Sequence, residues 1–266
     1  MKYLGGKKIL GKYISEVIKA FTNDTQITSY IEPFCGALGV FVHMTDHFNK
    51  CYASDLHGDL IEMWKKVQNG TFRPPKTMTE ERFLKIKEYK SPNSMKAFVG
   101  FGCSFGGKYF GGYAQKYTNG KKEDFLKEAT NSIRKIAPKI QNATFKCQSY
   151  DAWKPTKSII YCDPPYVHGK FPVKYRTSTK KYLEFDSEKF WNQVRKWSKH
   201  NVVFVSEKTA PDDFIAIWKK RKQRSISQSK KTRFKDKNTK KYSIEQLFIH
   251  KSLVKKTSNG TWKLNT

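Results

Sequence analysis

The chain has 266 residues and carries 52 Lys and Arg against 23 Asp and Glu, a formal charge of +29. That length favours one large domain, or one domain with an insertion, over several small ones, and an apolar fraction of 38% with 15% aromatic residues excludes general disorder. The excess of positive charge predicts a polyanionic partner that releases counterions on binding, with nucleic acid ahead of an acidic membrane surface.

No apolar run reaches 18 residues and the first residues do not read as a secretory signal, so a soluble, intracellular protein is expected. Cys35, Cys51, Cys103, Cys147 and Cys162 are never spaced as C-x-x-C, which argues against a disulfide framework or a zinc knuckle. His43 and His47 lie four apart with no third ligand at a suitable spacing, and no metal is expected.

In chain order, Ile9, Leu10, Tyr13, Ile14, Val17, Ile18 and Phe21 recur at helical spacing and predict a helix from Lys7 to Phe21. Strand-like Thr28 to Glu32 leads into helix-like Ala37 to His47, and Lys50 to Ser54 into Gly58 to Val67. This alternation predicts a parallel α/β sheet. The next strands, Ala143 to Gln148 and Ser158 to Cys162, arrive only after a stretch with helix-like pieces at Thr79 to Tyr89, Pro92 to Val99 and Lys121 to Ile136. The expected organisation is a sheet domain made of residues 1–70 and 142–266 with an inserted helical lobe, 71–141. Within that lobe, Gly100 to Tyr113 is too rich in glycine for an ordinary helix or central strand. A helix from Asp186 to Lys199, a buried strand from Asn201 to Ser206 and a last strand from Tyr242 to His250 follow. Between the last two strands, Lys219 to Lys241 contains twelve Lys or Arg and one acid, Asp236. The run reads as a solvated loop, as a strip lying along phosphates through charge and hydroxyl contacts, or as a nuclear-import address.

Chemistry concentrates at Ile159-Ile-Tyr-Cys-Asp163-Pro164-Pro165-Tyr166, a strand ending in an acid, two prolines and an aromatic ring. The prolines fix the turn, so the Asp163 carboxylate, the backbone carbonyls and the Tyr166 ring share one rigid edge. Such an edge suits a planar amine: a carboxylate and a neighbouring carbonyl accept both hydrogens of an NH2, while an aromatic ring stacks on the ring that bears it. A second signal is Tyr30 to Phe41, a strand passing through Gly36 and Gly39, where backbone can approach a ligand. Asp55 ends the next strand about twenty residues later, where an acid can bind ribose hydroxyls in doubly wound sheets.

In this order the motifs resemble the Dam-like, or D12 class, DNA adenine-N6 methyltransferases. Tyr3-Leu4-Gly5-Gly6-Lys7 is similar to the family's opening aromatic-x-Gly-Gly-Lys, Glu32 to Phe41 to its cofactor turn and Asp163 to Tyr166 to its catalytic DPPY. Further matches are Asp55 to Ile61, the strand end Cys147 to Asp151, and the segment Arg233 to Leu247 with Glu245. The resemblance implies a Rossmann-like class I methyltransferase sheet, mostly parallel with one antiparallel strand near the C-terminus. It implies methyl transfer from S-adenosylmethionine to N6 of a flipped-out adenine in double-stranded DNA, leaving S-adenosylhomocysteine, without a metal.

Carried over residue by residue, Tyr3, Gly6, Lys7, Glu32, Phe34, Gly36, Asp55, Tyr150 and Asp163 would form the cofactor site. Tyr3 and Lys7 would lie near the cofactor's methionine end, Asp55 at its ribose and Tyr150 near its adenine. Asp163, Pro164, Pro165 and Tyr166 would be catalytic. The lobe would read sequence, with Lys108, Tyr109, Tyr113 and Arg134 as DNA contacts, joined by Lys230, Lys231 and Arg233 from the basic run. A bacterial or viral protein is expected, in the cytoplasm or in a eukaryotic host's nucleus, with room for a companion restriction endonuclease and no membrane partner. Two positions depart from the pattern. Leu38 stands where the family often has glycine, and Ser104-Phe-Gly-Gly-Lys108 differs from the aromatic-Asn-Gly of the members that methylate GATC. The same edge would also serve a methyltransferase of RNA adenine or of cytosine N4. A non-catalytic DNA-binding relic is the reading from another class.

Overall fold

The computed structural model describes residues 1–115, 117–118, 121–166, 173–176, 182–223 and 242–265. Its centre is one sheet of seven strands: β1 (Ser29–Glu32), β2 (Lys50–Asp55), β3 (Ala143–Cys147), β4 (Ser158–Cys162), β5 (Val202–Glu207), β6 (Phe214–Gln223) and β7 (Tyr242–His250). They lie in the order β6-β7-β5-β4-β1-β2-β3. Every pairing is parallel except those of β7, which is antiparallel to both neighbours. β4 and β5 are buried at every position, as strands covered by helices on both faces must be.

The helices are α1 (Gly11–Thr22), α2 (Gly58–Gln68), α3 (Glu80–Lys87), α4 (Ser94–Gly102), α5 (Phe125–Ile136) and α6 (Ser187–Ser198). Several begin later than their apolar periodicity alone suggests, because capping residues set the start. Thr79 accepts from the Arg82 amide, Asn93 from those of Met95 and Lys96, Asp124 from Lys127 and Asp186 from Lys189. Upstream of α5, Lys121–Lys122 pairs with Tyr117–Thr118 in a two-stranded ribbon. One apolar cluster unites α1 and α2 with α3, α4 and α5, through Ile14, Trp64, Phe83, Phe98 and Ile133. A second, around Phe190, Val194 and Trp197 of α6, covers the other side of β4 and β5.

Two expectations are corrected. Ala37 to His47 is not a helix: only a short 3-10 turn forms, Phe41–His43. Gly36 and Leu38 have positive φ, +44° and +61°, which an α-helix does not admit. The start of the basic run is not loop either. Lys219 to Gln223 belong to β6, the edge strand of the sheet, whose basic second half registers against β7 just as its apolar first half does. Charged residues on an edge strand discourage pairing with another chain.

Candidate active site at the carboxyl ends of the strands

The strand order reverses between β4 and β1, and ligands of doubly wound sheets bind in the crevice that opens at such a point. Here the crevice is a cavity of about 610 Å³, inside the range of roughly 300–1,000 Å³ typical of small-molecule sites. Its walls are the segment after Met1, the turns after β1 and β2, the DPPY corner after β4, Phe101 near the end of α4, and Gly107 to Tyr109 in the loop that follows α4. The glycine content predicts no ordinary helix from Gly100 onward, but α4 continues to Gly102.

Glycines let these pieces close. The loop residue Gly107, at φ +69°, presses on the chain's first residues so tightly that a Cβ would lie 2.5 Å from the Tyr3 amide nitrogen, and its carbonyl accepts from the Leu4 amide at 3.0 Å. A Cβ on Gly36 would sit 3.0 Å from the Tyr3 ring. Asp55 then ties the turns after β1 and β2 together, accepting from the Gly36 amide at 3.0 Å and the His57 amide at 2.9 Å. Burial raises its carboxyl above the ordinary range, an effect those amides oppose. Phe34 stacks on Tyr150, with ring centres 5.2 Å apart.

Leu38 makes the departure from the glycine pattern concrete: the backbone keeps a left-handed conformation while the side chain is fully buried. Replacing it by glycine would relieve roughly 1–2 kcal/mol of backbone strain, but deleting a buried leucine side chain costs roughly 3–5 kcal/mol. Leu38→Gly is therefore expected to destabilise the protein by about 2 kcal/mol. A urea unfolding midpoint at or above that of the parent would contradict this balance.

The acid edge is held by a long-range network. The Lys7 ammonium donates to Asp163 Oδ1 and to the Tyr166 hydroxyl, both at 2.7 Å, although Lys7 and Asp163 are 156 residues apart. It also lies 3.2 Å from Glu245 Oε1 on β7, and the Tyr166 hydroxyl donates to that same oxygen. The cluster is largely shielded from water, with side-chain exposures of 7% for Lys7, 18% for Asp163 and 14% for Glu245. Burial pushes the Asp163 carboxyl up, and Lys7 pulls it back down. Burial disfavours the Lys7 cation, but Asp163 and Glu245 together outweigh it and keep lysine protonated. Burial, with Asp163 and Glu245 nearby, keeps Tyr166 a neutral phenol.

The structure brings all nine expected cofactor residues, Tyr3, Gly6, Lys7, Glu32, Phe34, Gly36, Asp55, Tyr150 and Asp163, to this one cavity, together with Pro164, Pro165 and Tyr166. Lys7 engages the acid edge directly. Glu32 is buried, accepts from the Tyr30 hydroxyl at 2.6 Å and is raised well above the ordinary carboxyl range by that burial.

Among the expected DNA contacts, Lys108 and Arg134 are exposed, and Tyr113 is half-buried with its hydroxyl on the Met78 carbonyl. Tyr109 is a correction: it is not a surface residue. It is 7% exposed, packs against His57 and Phe101, and donates to the buried Asp59 at 2.5 Å. The φ of +46° at the next residue, Phe110, turns the chain inward there. Lys230, Lys231 and Arg233 lie outside the described residues. Glu245, singled out in the sequence only within the family-like segment Arg233 to Leu247, joins the ion cluster, while Phe105, 65% exposed, was not among the expected contacts. Among the described residues, no group of three or more His, Cys, Asp or Glu is placed to hold a metal, and no helix is long and apolar enough to cross a membrane.

A mostly parallel sheet with its antiparallel strand set between the last two positions, and a ligand crevice at the β1–β4 reversal, defines the class I methyltransferase fold. The family model of the D12 class N6 adenine-specific DNA methyltransferases matches residues 3–99 and 103–241, and the chain belongs to that family. It is similar to a DNA adenine methylase of Vibrio cholerae, 29% identical over 191 residues, which cover 63% of this chain and 64% of that relative. It is also similar to the type II methyltransferase M.MjaIII of Methanocaldococcus jannaschii, 24% identical over 219 residues, 70% of this chain and 73% of the relative. A third relative, the type II methyltransferase M.CviBI of Paramecium bursaria Chlorella virus NC1A, is 22% identical over 185 residues, 62% and 68% of the two chains. The match to the Vibrio protein thus spans less than two thirds of that relative's length.

Proposed function

We propose that the protein transfers a methyl group from S-adenosylmethionine to N6 of an adenine turned out of duplex DNA. The observation that carries this reading is the union, in one cavity, of the Asp163–Tyr166 edge with the glycine turn and Asp55. The residues suit the cofactor. Gly36 leaves open the space beside Tyr3 that a Cβ would fill, Asp55 keeps acceptor capacity for ribose hydroxyls beyond its two amides, and Phe34 and Tyr150 offer aromatic surface. Tyr3, Gly6, Phe34, Gly36, Asp55 and Tyr150 would hold it. When bound, the cofactor supplies a methyl group on a positively charged sulfur.

The protein's own contribution is positioning. Asp163 accepts one amine hydrogen and the Pro164 carbonyl the other, which leaves the nitrogen lone pair less delocalised, and Tyr166 stacks on the base. Extruding the adenine costs a few kcal/mol, which the cationic surface helps to offset through phosphate contacts. In this reading residues 71–141 form the target-recognition lobe, with Lys108 and Arg134 on its exposed face, and the basic run at Lys230, Lys231 and Arg233 adds phosphate contacts. The type II methyltransferases among the relatives support a restriction–modification setting.

The test is labelling of duplex DNA with methyl-tritiated S-adenosylmethionine, followed by mass spectrometry of the nucleosides. N6-methyladenosine in its deoxy form supports the reading; N4-methylcytosine, or label in RNA alone, replaces it. Duplex affinity should fall on the order of 10³-fold between 50 and 200 mM salt if about six phosphates are contacted. An affinity flat across that range would exclude a phosphate-dominated interface.

A further inference from the structure

The buried ion cluster contains a feature that an amine-binding edge does not by itself need. One oxygen of the carboxylate that should receive the substrate amine is already engaged: Lys7 donates to Asp163 Oδ1 at 2.7 Å. A lysine left with Asp163 as its only partner would hold that oxygen against an incoming neutral N–H donor, because the ammonium brings a full positive charge to the carboxylate as well as a hydrogen bond. Glu245 changes the competition. It reaches the same ammonium from β7 at 3.2 Å, and it also receives the Tyr166 hydroxyl. Tyr166 in turn accepts from Lys7 at 2.7 Å, and the ammonium sits 4.5 Å from the centre of its ring. Lys7, Tyr166 and Glu245 therefore form a closed ring of contacts that survives when the Lys7–Asp163 bond opens.

We propose that Glu245 is a positioning residue that retains the Lys7 ammonium when a substrate amine takes its place on Asp163, and that holds the Tyr166 ring in its stacking orientation. The inference rests on the reading of this edge as the amine site. Charge and hydrogen bonds both balance across the exchange. Asp163 gives up one N–H donor and gains another, Lys7 keeps Glu245 and Tyr166 as partners, and no proton moves. Glu245 does not line the cavity, so it acts through Lys7 and Tyr166 and not on the substrate. Its place in the sheet is fixed, since β7 pairs with β6 through Glu245 opposite Lys220, and β7 continues alongside β5 from Gln246.

The test compares the parent with Glu245→Gln, Glu245→Asp and Tyr166→Phe in three measurements: kcat at saturating DNA and cofactor, the dissociation constant of S-adenosylhomocysteine by calorimetry, and the melting temperature. Glu245→Gln keeps the size of the side chain but loses the charge that retains Lys7. Its kcat is expected to fall on the order of 10²-fold, the scale of a misplaced catalytic group. Binding of S-adenosylhomocysteine should stay within about 2-fold, as for a pocket left intact. Glu245→Asp should recover part of the loss, and combining Glu245→Gln with Tyr166→Phe should cost less than the sum of the two, because both break the same ring of contacts. A Glu245→Gln enzyme with parental kcat overturns the proposal. So does one whose kcat, product affinity and melting temperature all fall together with no recovery in Glu245→Asp, since that pattern belongs to a purely structural residue. Failure of the underlying reading is recognised separately, by a parent protein that labels no adenine in DNA.

Discussion

Replacing Asp163 by alanine is expected to reduce methyl transfer to duplex DNA by at least about 10²-fold, the scale of removing one pre-organised polar partner from a reacting group. The fold should survive, because Lys7 retains Glu245 and the Tyr166 hydroxyl and is not left as an unpartnered buried cation. The pH dependence follows from the same environment. Asp163 must be ionised to accept amine hydrogens, and burial raises its pKa even with Lys7 opposing. Activity should therefore be full above that raised value and fall as pH drops through it, with an acid limb lying above the value near 4 of an ordinary carboxyl. Tritium incorporation measured across acidic pH gives the limb. Parental activity in Asp163→Ala would remove the amine edge from the mechanism.

Gly11→Ala should destabilise the protein, against the usual preference of helices for alanine. Alanine in a helix normally gains about 0.5–1 kcal/mol over glycine. Here the added Cβ would lie 1.8 Å from the Gly39 carbonyl oxygen and 2.7 Å from its carbon. Backbone must move, and overpacking of this kind costs about 1–3 kcal/mol or more. The clash wins, and a net loss of about 2 kcal/mol, or several degrees in melting temperature for a domain of this size, is expected. Because Gly39 also lines the cavity, cofactor affinity should fall as well. Gly70→Ala is the comparison: its φ is +70° but a Cβ there meets nothing within 4 Å, so only the backbone cost of about 1 kcal/mol applies. A Gly11→Ala protein at least as stable as Gly70→Ala would refute the close approach of α1 to the glycine turn.

Much of the sheet was legible because burial on both faces imposes a local signature. Ser158 to Cys162, buried throughout, is the clear case; Tyr242 to His250, exposed or half-buried before Leu247, is expected as a strand too, and both form with the expected ends. Ala37 to His47 failed for a local reason that periodicity does not carry: positive φ at Gly36 and Leu38 breaks the helix that the apolar spacing invites. β6 was hidden by its own composition, since the lysines and arginine that occupy its second half also describe a solvated loop, and only pairing with β7 separates the two.

The rigid Asp163-Pro164-Pro165-Tyr166 corner, the glycine turn and the acid at the end of β2 are determined by the sequence itself, because proline, glycine and a strand-terminal carboxylate act through the backbone dihedrals of their own neighbourhood. Tertiary structure alone decided that Lys7 crosses 156 residues to Asp163, that Glu245 shares it, and that Tyr109 turns inward to Asp59 while Lys108 beside it faces water. Those outcomes depend on which buried charge finds which partner once the chain has closed, a matter of desolvation and distance between remote segments that no local pattern encodes.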